Sequence, residues 1–224
     1  MKSNESSPFV EAAAPAVRGE GGNGGVATIE VESQRAVQEV QASMAIAKRF
    51  PRDELEATDK ILKACRRPTL ARSSIYAYPR GGKTVTGPSI RLAEALAQNW
   101  GNLQFGIREL SQQNGESTVE AFAWDLETNT RATKIFQVPH VRYSKERGNV
   151  KLTDPRDIYE MVANNGARRL RACVLSIIPG DVVEAAVEEC EKTQEKILGA
   201  KEDQIKRMLG AFAELRVNRQ QIEK

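Results

Sequence analysis

Two stretches of this chain, Ile75 to Thr86 and Leu103 to Val138, consist of short strand-like runs, and every break inside them is a short turn. Strands joined so tightly pair antiparallel, because a parallel crossover needs roughly a dozen residues or more. The pattern therefore excludes a doubly wound sheet and predicts an α+β fold.

The first stretch reads as two strands, Ile75-Tyr76-Ala77-Tyr78-Pro79 and Lys83-Thr84-Val85-Thr86, around a turn at Arg80-Gly81-Gly82. Gly87-Pro88-Ser89 then opens a helix whose buried stripe is Ile90, Ala93, Leu96 and Ala97, ending at Trp100-Gly101. In the second stretch Leu103, Phe105 and Ile107 alternate with Gln104, Gly106 and Arg108. A strand from Ser117 to Trp124 follows the Asn114-Gly115 turn, and one from Thr130 to Val138 follows Glu127-Thr128-Asn129.

Helical spacing frames these strands. Val37, Val40, Met44 and Ala47 fall on one face of a helix from about Ser33, which Pro51 breaks. A second helix covers about Asp53 to Cys65, with Leu55, Ile61, Leu62 and Cys65 as its apolar side and Pro68 beyond its end. Asp154 caps a third, with Pro155 at its first position, running through Met161, Leu170 and Val174 to Ile177. Asp181 and Glu184 form a capping box for a helix to about Leu198. Residues 1–32 are too poor in large apolar groups to offset ordering entropy and read as a disordered arm. The core is thus an antiparallel β-β-α-β-β-β-α unit over 33–198, with N-terminal helices and a polar helical extension over 199–224.

Composition removes several functions. With one histidine, His140, no site needing two imidazoles can be built, and an ordinary strand-end or loop role is expected for it. Cys65, Cys173 and Cys190 form no CxxC pair, so neither a zinc site nor a disulfide framework is read from them. No apolar run approaches the ~20 residues of a membrane span, and Lys2 is followed by polar residues rather than an apolar signal stretch. A cytoplasmic protein without metal or cofactor is expected.

Net charge is +3 but unevenly spread: −3 over 1–47, +7 over 48–91, −5 over 92–130, +6 over 131–171 and −2 over 172–224. Two basic blocks around an acidic middle suit one cationic groove. Gly81-Gly82-Lys83-Thr84 resembles the end of a phosphate-binding loop, but Ala77 stands where the first glycine belongs and Gly87-Pro88 separates the lysine from its helix. It reads as a basic hairpin turn. Asp154, Asp157 and Glu160 are better explained by the helix start than by magnesium.

The most informative segment is Asn164-Asn165-Gly166-Ala167-Arg168-Arg169-Leu170-Arg171. Its three arginines fan too widely for one salt-bridged stripe, and guanidinium groups donate to phosphate oxygens in a fixed fork. The small residues before them would let a phosphate chain or another backbone come close. Lys134, Arg142, Lys145, Arg147 and Lys151 lie just upstream, and Arg66, Arg67, Arg72, Arg80 and Lys83 form the other block. Tyr76, Tyr78, Phe105, Phe122, Trp124 and Phe136 take strand positions, where core packing is the first explanation and base stacking the second.

The order of elements resembles the annealing domain of eukaryotic strand-annealing recombination mediators, and phage single-strand annealing proteins of the Erf and RecT types. Val85-Thr86-Gly87-Pro88-Ser89-Ile90-Arg91-Leu92-Ala93-Glu94, Trp100-Gly101, the Asn114-Gly115 meander and Asn165-Gly166-Ala167-Arg168-Arg169-Leu170 carry it, over about residues 70–180. The resemblance implies a non-enzymatic, ATP-independent protein that binds single-stranded DNA and anneals complementary strands, assembled as a ring or filament. It places Arg168 and Arg169 in a groove along the phosphate backbone. Further contacts are expected from Arg171, Arg80, Lys83, Lys134, Arg142, Lys145 and Arg147. An exonuclease or a host single-strand-binding protein would be the further partners. The chain departs from the family in lacking a long lysine-rich stretch before the last core helix, where it has His140 to Val150 instead. Two other classes compete: a metal-dependent nuclease using Glu120, Asp125 or the acids of 154–160, and an adaptor ring that touches only protein.

Overall fold

The structure, a computed structural model, describes residues 24–214. The chain divides into two units, 1–42 and 43–224. Helix α1 (Gly24–Arg49) supplies all the described structure of the first, and the sheets and core lie in the second. The helix begins at Gly24, not near Ser33, because no proline interrupts 24–32 and a glycine costs only about 1 kcal/mol against alanine. The rest of the arm, 1–23, and the last residues of the tail, 215–224, lie outside the described residues.

The fold is α+β, with the antiparallel strands and flanking helices that the alternation implies. Strands β1 (Ile75–Arg80) and β2 (Lys83–Pro88) form a hairpin, and Gly81 and Gly82 at its tip have the positive φ of a type I′ turn. Helix α4 (Ile90–Trp100) follows, capped by the Ser89 side chain on the Leu92 amide. A three-stranded meander comes next, β3 (Leu103–Gln113), β4 (Glu116–Asp125) and β5 (Arg131–Pro139). Asn114 and Gly115 make its first turn, again with positive φ. Helix α5 (Pro155–Ile177) lies across one face of this sheet, with Asp154 as its cap.

Two features escape the sequence reading, and a third, an expected helix, differs at its start. Pro68, taken as lying past a helix end, starts the short helix α3 (Pro68–Ser73) after α2 (Glu54–Cys65), since proline is also favoured at a first helical position. His140 to Val150 is no plain loop: β6 (Val141–Ser144) and β7 (Gly148–Lys151) form another hairpin, whose charged residues hide its alternation. Helix α6 (Gly180–Glu214) begins one residue before Asp181, so that side chain sits in the first turn instead of capping.

The core is built where α2, α4, α5 and α6 meet the sheet: Ile61, Leu92, Leu96, Ala121, Leu170, Cys173, Val174 and Cys190 are all buried. Leu55, expected inward, is exposed, and Ala57, Ile61, Ala64 and Cys65 form the buried side of α2. All three cysteines are buried and free. A hydrogen bond to Cys190 and burial push the Cys65 thiol far up. His140 is also buried, its Nε2 2.8 Å from Ser117 Oγ at the end of the sheet.

Two contacts fix how these elements sit. Gly166, buried on α5, faces Ile107 of β3 so closely that a methyl group there would lie 2.6 Å from Ile107 Cδ1. The small residue therefore admits the sheet, not a phosphate chain. Arg52, just ahead of α2, donates to Asp125 (2.6 Å) and Glu127 (3.0 Å), and its guanidinium lies 5.0 Å from the Trp100 ring. Asn102 donates to Glu127 and to the Phe50 carbonyl, tying α1's end, α4's end and the β4–β5 turn together. Burial raises the Glu127 carboxyl, but the Asn102 and Arg52 hydrogen bonds outweigh it and hold the group below its usual range.

Two stability predictions follow from these contacts. Gly166→Ala should destabilise the protein by about 1–3 kcal/mol through overpacking, with part of the loss recovered in Gly166→Ala, Ile107→Ala, as read by urea unfolding. Arg52→Ala should cost about 3–5 kcal/mol, since it leaves two carboxylates without their partner. In the parent protein the Glu127 contribution is complete above the unfolded carboxyl's pKa of about 4.3 and declines as pH falls below it. Urea midpoints between pH 3 and 7 should show that acid decline diminished in Arg52→Ala.

Candidate nucleic-acid interface

Helix α5 turns its stripe of Val162, Gly166, Leu170, Cys173 and Val174 inward, and this decides where its arginines emerge. At 100° per residue, Arg168 and Arg171 share one flank and Arg169 comes out on the other. The β1–β2 hairpin stands on the first flank. Residues two apart on a strand share a face, so Tyr76 and Tyr78 lie side by side, with ring centroids 5.8 Å apart and planes 22° from parallel. The Arg171 guanidinium lies 4.3 Å from the Tyr76 centroid. Arg168, Arg171, Tyr76 and Tyr78 line an open cleft of about 400 Å³.

At the hairpin tip Lys83 is exposed and pairs in backbone register with Arg80, two residues beyond Tyr78. Gly87 is the register partner of Tyr76, and a methyl group there would fall 2.7 Å from the Tyr76 hydroxyl. The bare glycine backbone is what lets the ring lie down against β2.

Several arginines elsewhere on the protein are paired with acids, and those of the cleft are not. Arg52, Arg66, Arg91, Arg108, Arg131 and Arg142 all have a carboxylate within 4 Å. Among the described residues neither Arg168, Arg171 nor Lys83 has one, and no acid lines the cleft. A guanidinium pair without carboxylate partners beside exposed π surface can receive an anionic group attached to a flat ring.

The other residues expected to contact DNA fall in two other places. Arg169 lies 4.5 Å from the Phe136 ring of β5 and donates to the Asn165 carbonyl (3.2 Å) and side chain (3.1 Å). Lys134, exposed on the same strand, is close enough to offset slightly the burial that raises the Cys173 thiol. Arg142, Lys145 and Arg147 sit on the β6–β7 hairpin, Arg142 3.5 Å from Asp157. The groove there is of mixed sign, lined by Arg142, Arg147 and Lys151 but also by Glu146, Asp154 and Asp157. The sequence thus named residues of separate surfaces, and of them only Arg168 and Arg171 line the cleft, with Lys83 at the tip of the hairpin beside it.

The acids considered for a nuclease do not converge. Glu120 faces Arg108 and Arg131 on the sheet side away from α5, and Asp125, one strand parity removed, holds Arg52. Asp154 caps α5, and among the described residues no three His, Cys, Asp or Glu side chains are grouped as metal ligands. No described helix is long and apolar enough to cross a membrane.

What the sequence reading undervalued is the tyrosine pair, taken first as core. Tyr78 is 43% exposed and Tyr76 half-buried. The available signal was their place in an isolated two-stranded ribbon, which has too little covering structure to bury a face.

Compared with protein-family models, curated proteins and solved structures, the chain matches none.

The cleft generates a sharp mutational expectation. Arg168→Ala, Arg171→Ala should still fold, since neither side chain is in the core, with a stability loss of no more than about 0.5–2 kcal/mol from the Arg171–Tyr76 contact, yet lose oligonucleotide binding. Each lost phosphate contact should make the logarithmic salt dependence shallower by about 0.7 for a single strand. Arg169→Ala should instead lower stability by about 0.5–2 kcal/mol through the lost Phe136 contact and leave the salt slope unchanged. Fluorescence anisotropy titrations over a salt series, beside thermal melts, distinguish the two.

Proposed function

We propose that this protein binds single-stranded DNA and anneals complementary strands without nucleotide hydrolysis or a covalent step. The observation that carries the reading is the cleft between the β1–β2 hairpin and α5, where Arg168 and Arg171 stand without carboxylate partners beside two tyrosine rings. The order and spacing of the elements, which resemble those of single-strand annealing proteins, support the same reading. So does the step from Tyr78 to the basic hairpin tip at Arg80 and Lys83, which would extend the phosphate path along the strand.

Neutralising phosphates removes the repulsion that keeps two strands apart, while base edges left in solvent test homology by pairing. The activity then needs a track longer than one cleft. A ring or filament of head-to-tail subunits supplies it, and the sheet β3-β4-β5 has unpaired edges on both sides through which such contacts can form. An exonuclease or a host single-strand-binding protein belongs to the same proposal as a further partner, and so does a cytoplasmic setting.

Complementary oligonucleotides carrying a fluorophore and a quencher test this directly. Annealing should accelerate at least tenfold over the spontaneous rate, unchanged by chelator or by withholding ATP, and should fail with Arg168→Ala, Arg171→Ala. Magnesium-dependent shortening of the oligonucleotides would favour the nuclease reading. Absence of any retardation at low salt would favour the adaptor ring.

A further inference from the structure

A groove for phosphates needs cations, and it has no use for paired aromatic rings held open to solvent. The cleft has both. Tyr76 and Tyr78 present near-parallel π surfaces on one strand face, Arg171 lies against the first ring, and Tyr78 remains 43% exposed. Neither ring is among the fully buried core side chains, so packing alone does not account for the pair. The geometry is maintained by Gly87, whose missing side chain leaves Tyr76 the room it occupies. At about 400 Å³ the space is near the lower end of sites that enclose a single small molecule, which span roughly 300–1,000 Å³.

We infer that the cleft takes one nucleobase out of the bound strand, stacked on the Tyr76–Tyr78 pair, with Arg168 on the adjoining phosphate. The inference rests on the single-stranded DNA reading and adds to it. The strand is not held by its backbone alone: at each protomer one base is withdrawn from the pairing surface while its neighbours stay outward. Stacking is tolerant of sequence because every base has a π-face, so the anchor does not restrict which strands bind. It does fix the strand's position relative to the subunit, which a purely electrostatic track would leave free to slide. A base in the cleft must also be released, or left unpaired, when the complementary strand arrives.

The test uses the full chain and an oligothymidylate with a single 2-aminopurine, whose fluorescence is quenched on stacking, beside an abasic strand of the same length. With the parent protein, binding should quench the probe, and the abasic strand should bind roughly ten- to a hundredfold more weakly, the range set by one stacked base. Tyr78→Phe should keep both properties. Tyr78→Ala should lose the quenching and bind abasic and normal strands within about twofold of each other, with its fold checked by circular dichroism. Gly87→Ala, which pushes on the Tyr76 ring, should reduce the quenching as well. Equal binding of abasic and normal strands by the parent protein, with no quenching, would overturn the stacked base and leave strand binding intact. Failure to bind either strand would instead remove the DNA reading, and this inference with it.

Discussion

The contact between Gly166 and Ile107 sets the position of α5 on the sheet, and the arrangement of the surface depends on it. A side chain larger than hydrogen at that point requires Ile107 to repack or the helix to shift, and a shift of the helix carries the arginines with it. Held where it is, α5 buries Leu170 and Cys173 in the core and sends Arg168 and Arg171 toward the hairpin. The glycine that looked like an opening for a ligand is therefore an opening for the protein's own sheet. Its consequence for ligand binding is indirect: it aims the residues that follow.

Partners distinguish two sets among the arginines of this protein. Arg52 is enclosed by Asp125, Glu127 and Trp100, and it joins the segment before α2 to the β4–β5 turn. Arg108 and Arg131 cover the Phe122 ring and share Glu120. These groups have their charges satisfied, and breaking one such set leaves its acids stranded. Arg168 and Arg171 are the opposite case, cationic, close together and without an acid among the described residues. No carboxylate among the described residues neutralises them, though Arg171 lies against the Tyr76 ring, so a ligand that supplied phosphate would meet guanidinium groups without acid partners.

Much of the framework is legible in the residues. Alternation at Leu103, Phe105 and Ile107, and positive-φ turns at Gly81-Gly82 and Asn114-Gly115, are local signals that no distant contact needs to reinforce. The cap at Asp154 and the proline after it are equally local. Legibility fails where one residue has two uses. Pro68 can end one helix or begin another, and the charged run from Arg142 to Lys151 alternates too weakly to announce a hairpin. Leu55 has helical spacing with Ile61 and Leu62, yet the smaller Ala57 and Ala64 take the inward side because α4 and α6 approach closely there.

The candidate site divides in the same way. The sequence alone determined that the chain is α+β with an antiparallel meander, because period and turn chemistry are properties of neighbours in the chain. It also determined that basic residues gather in two blocks and that a single histidine excludes any site needing two imidazoles. Which arginines would act together was settled only in three dimensions. Arg168 and Arg169 are adjacent in sequence but a helical step of 100° carries them to different flanks, whereas Arg171 joins Tyr76 from 95 positions away. That pairing follows from how α5 packs on the sheet and where the hairpin projects, and no local pattern in the chain encodes it.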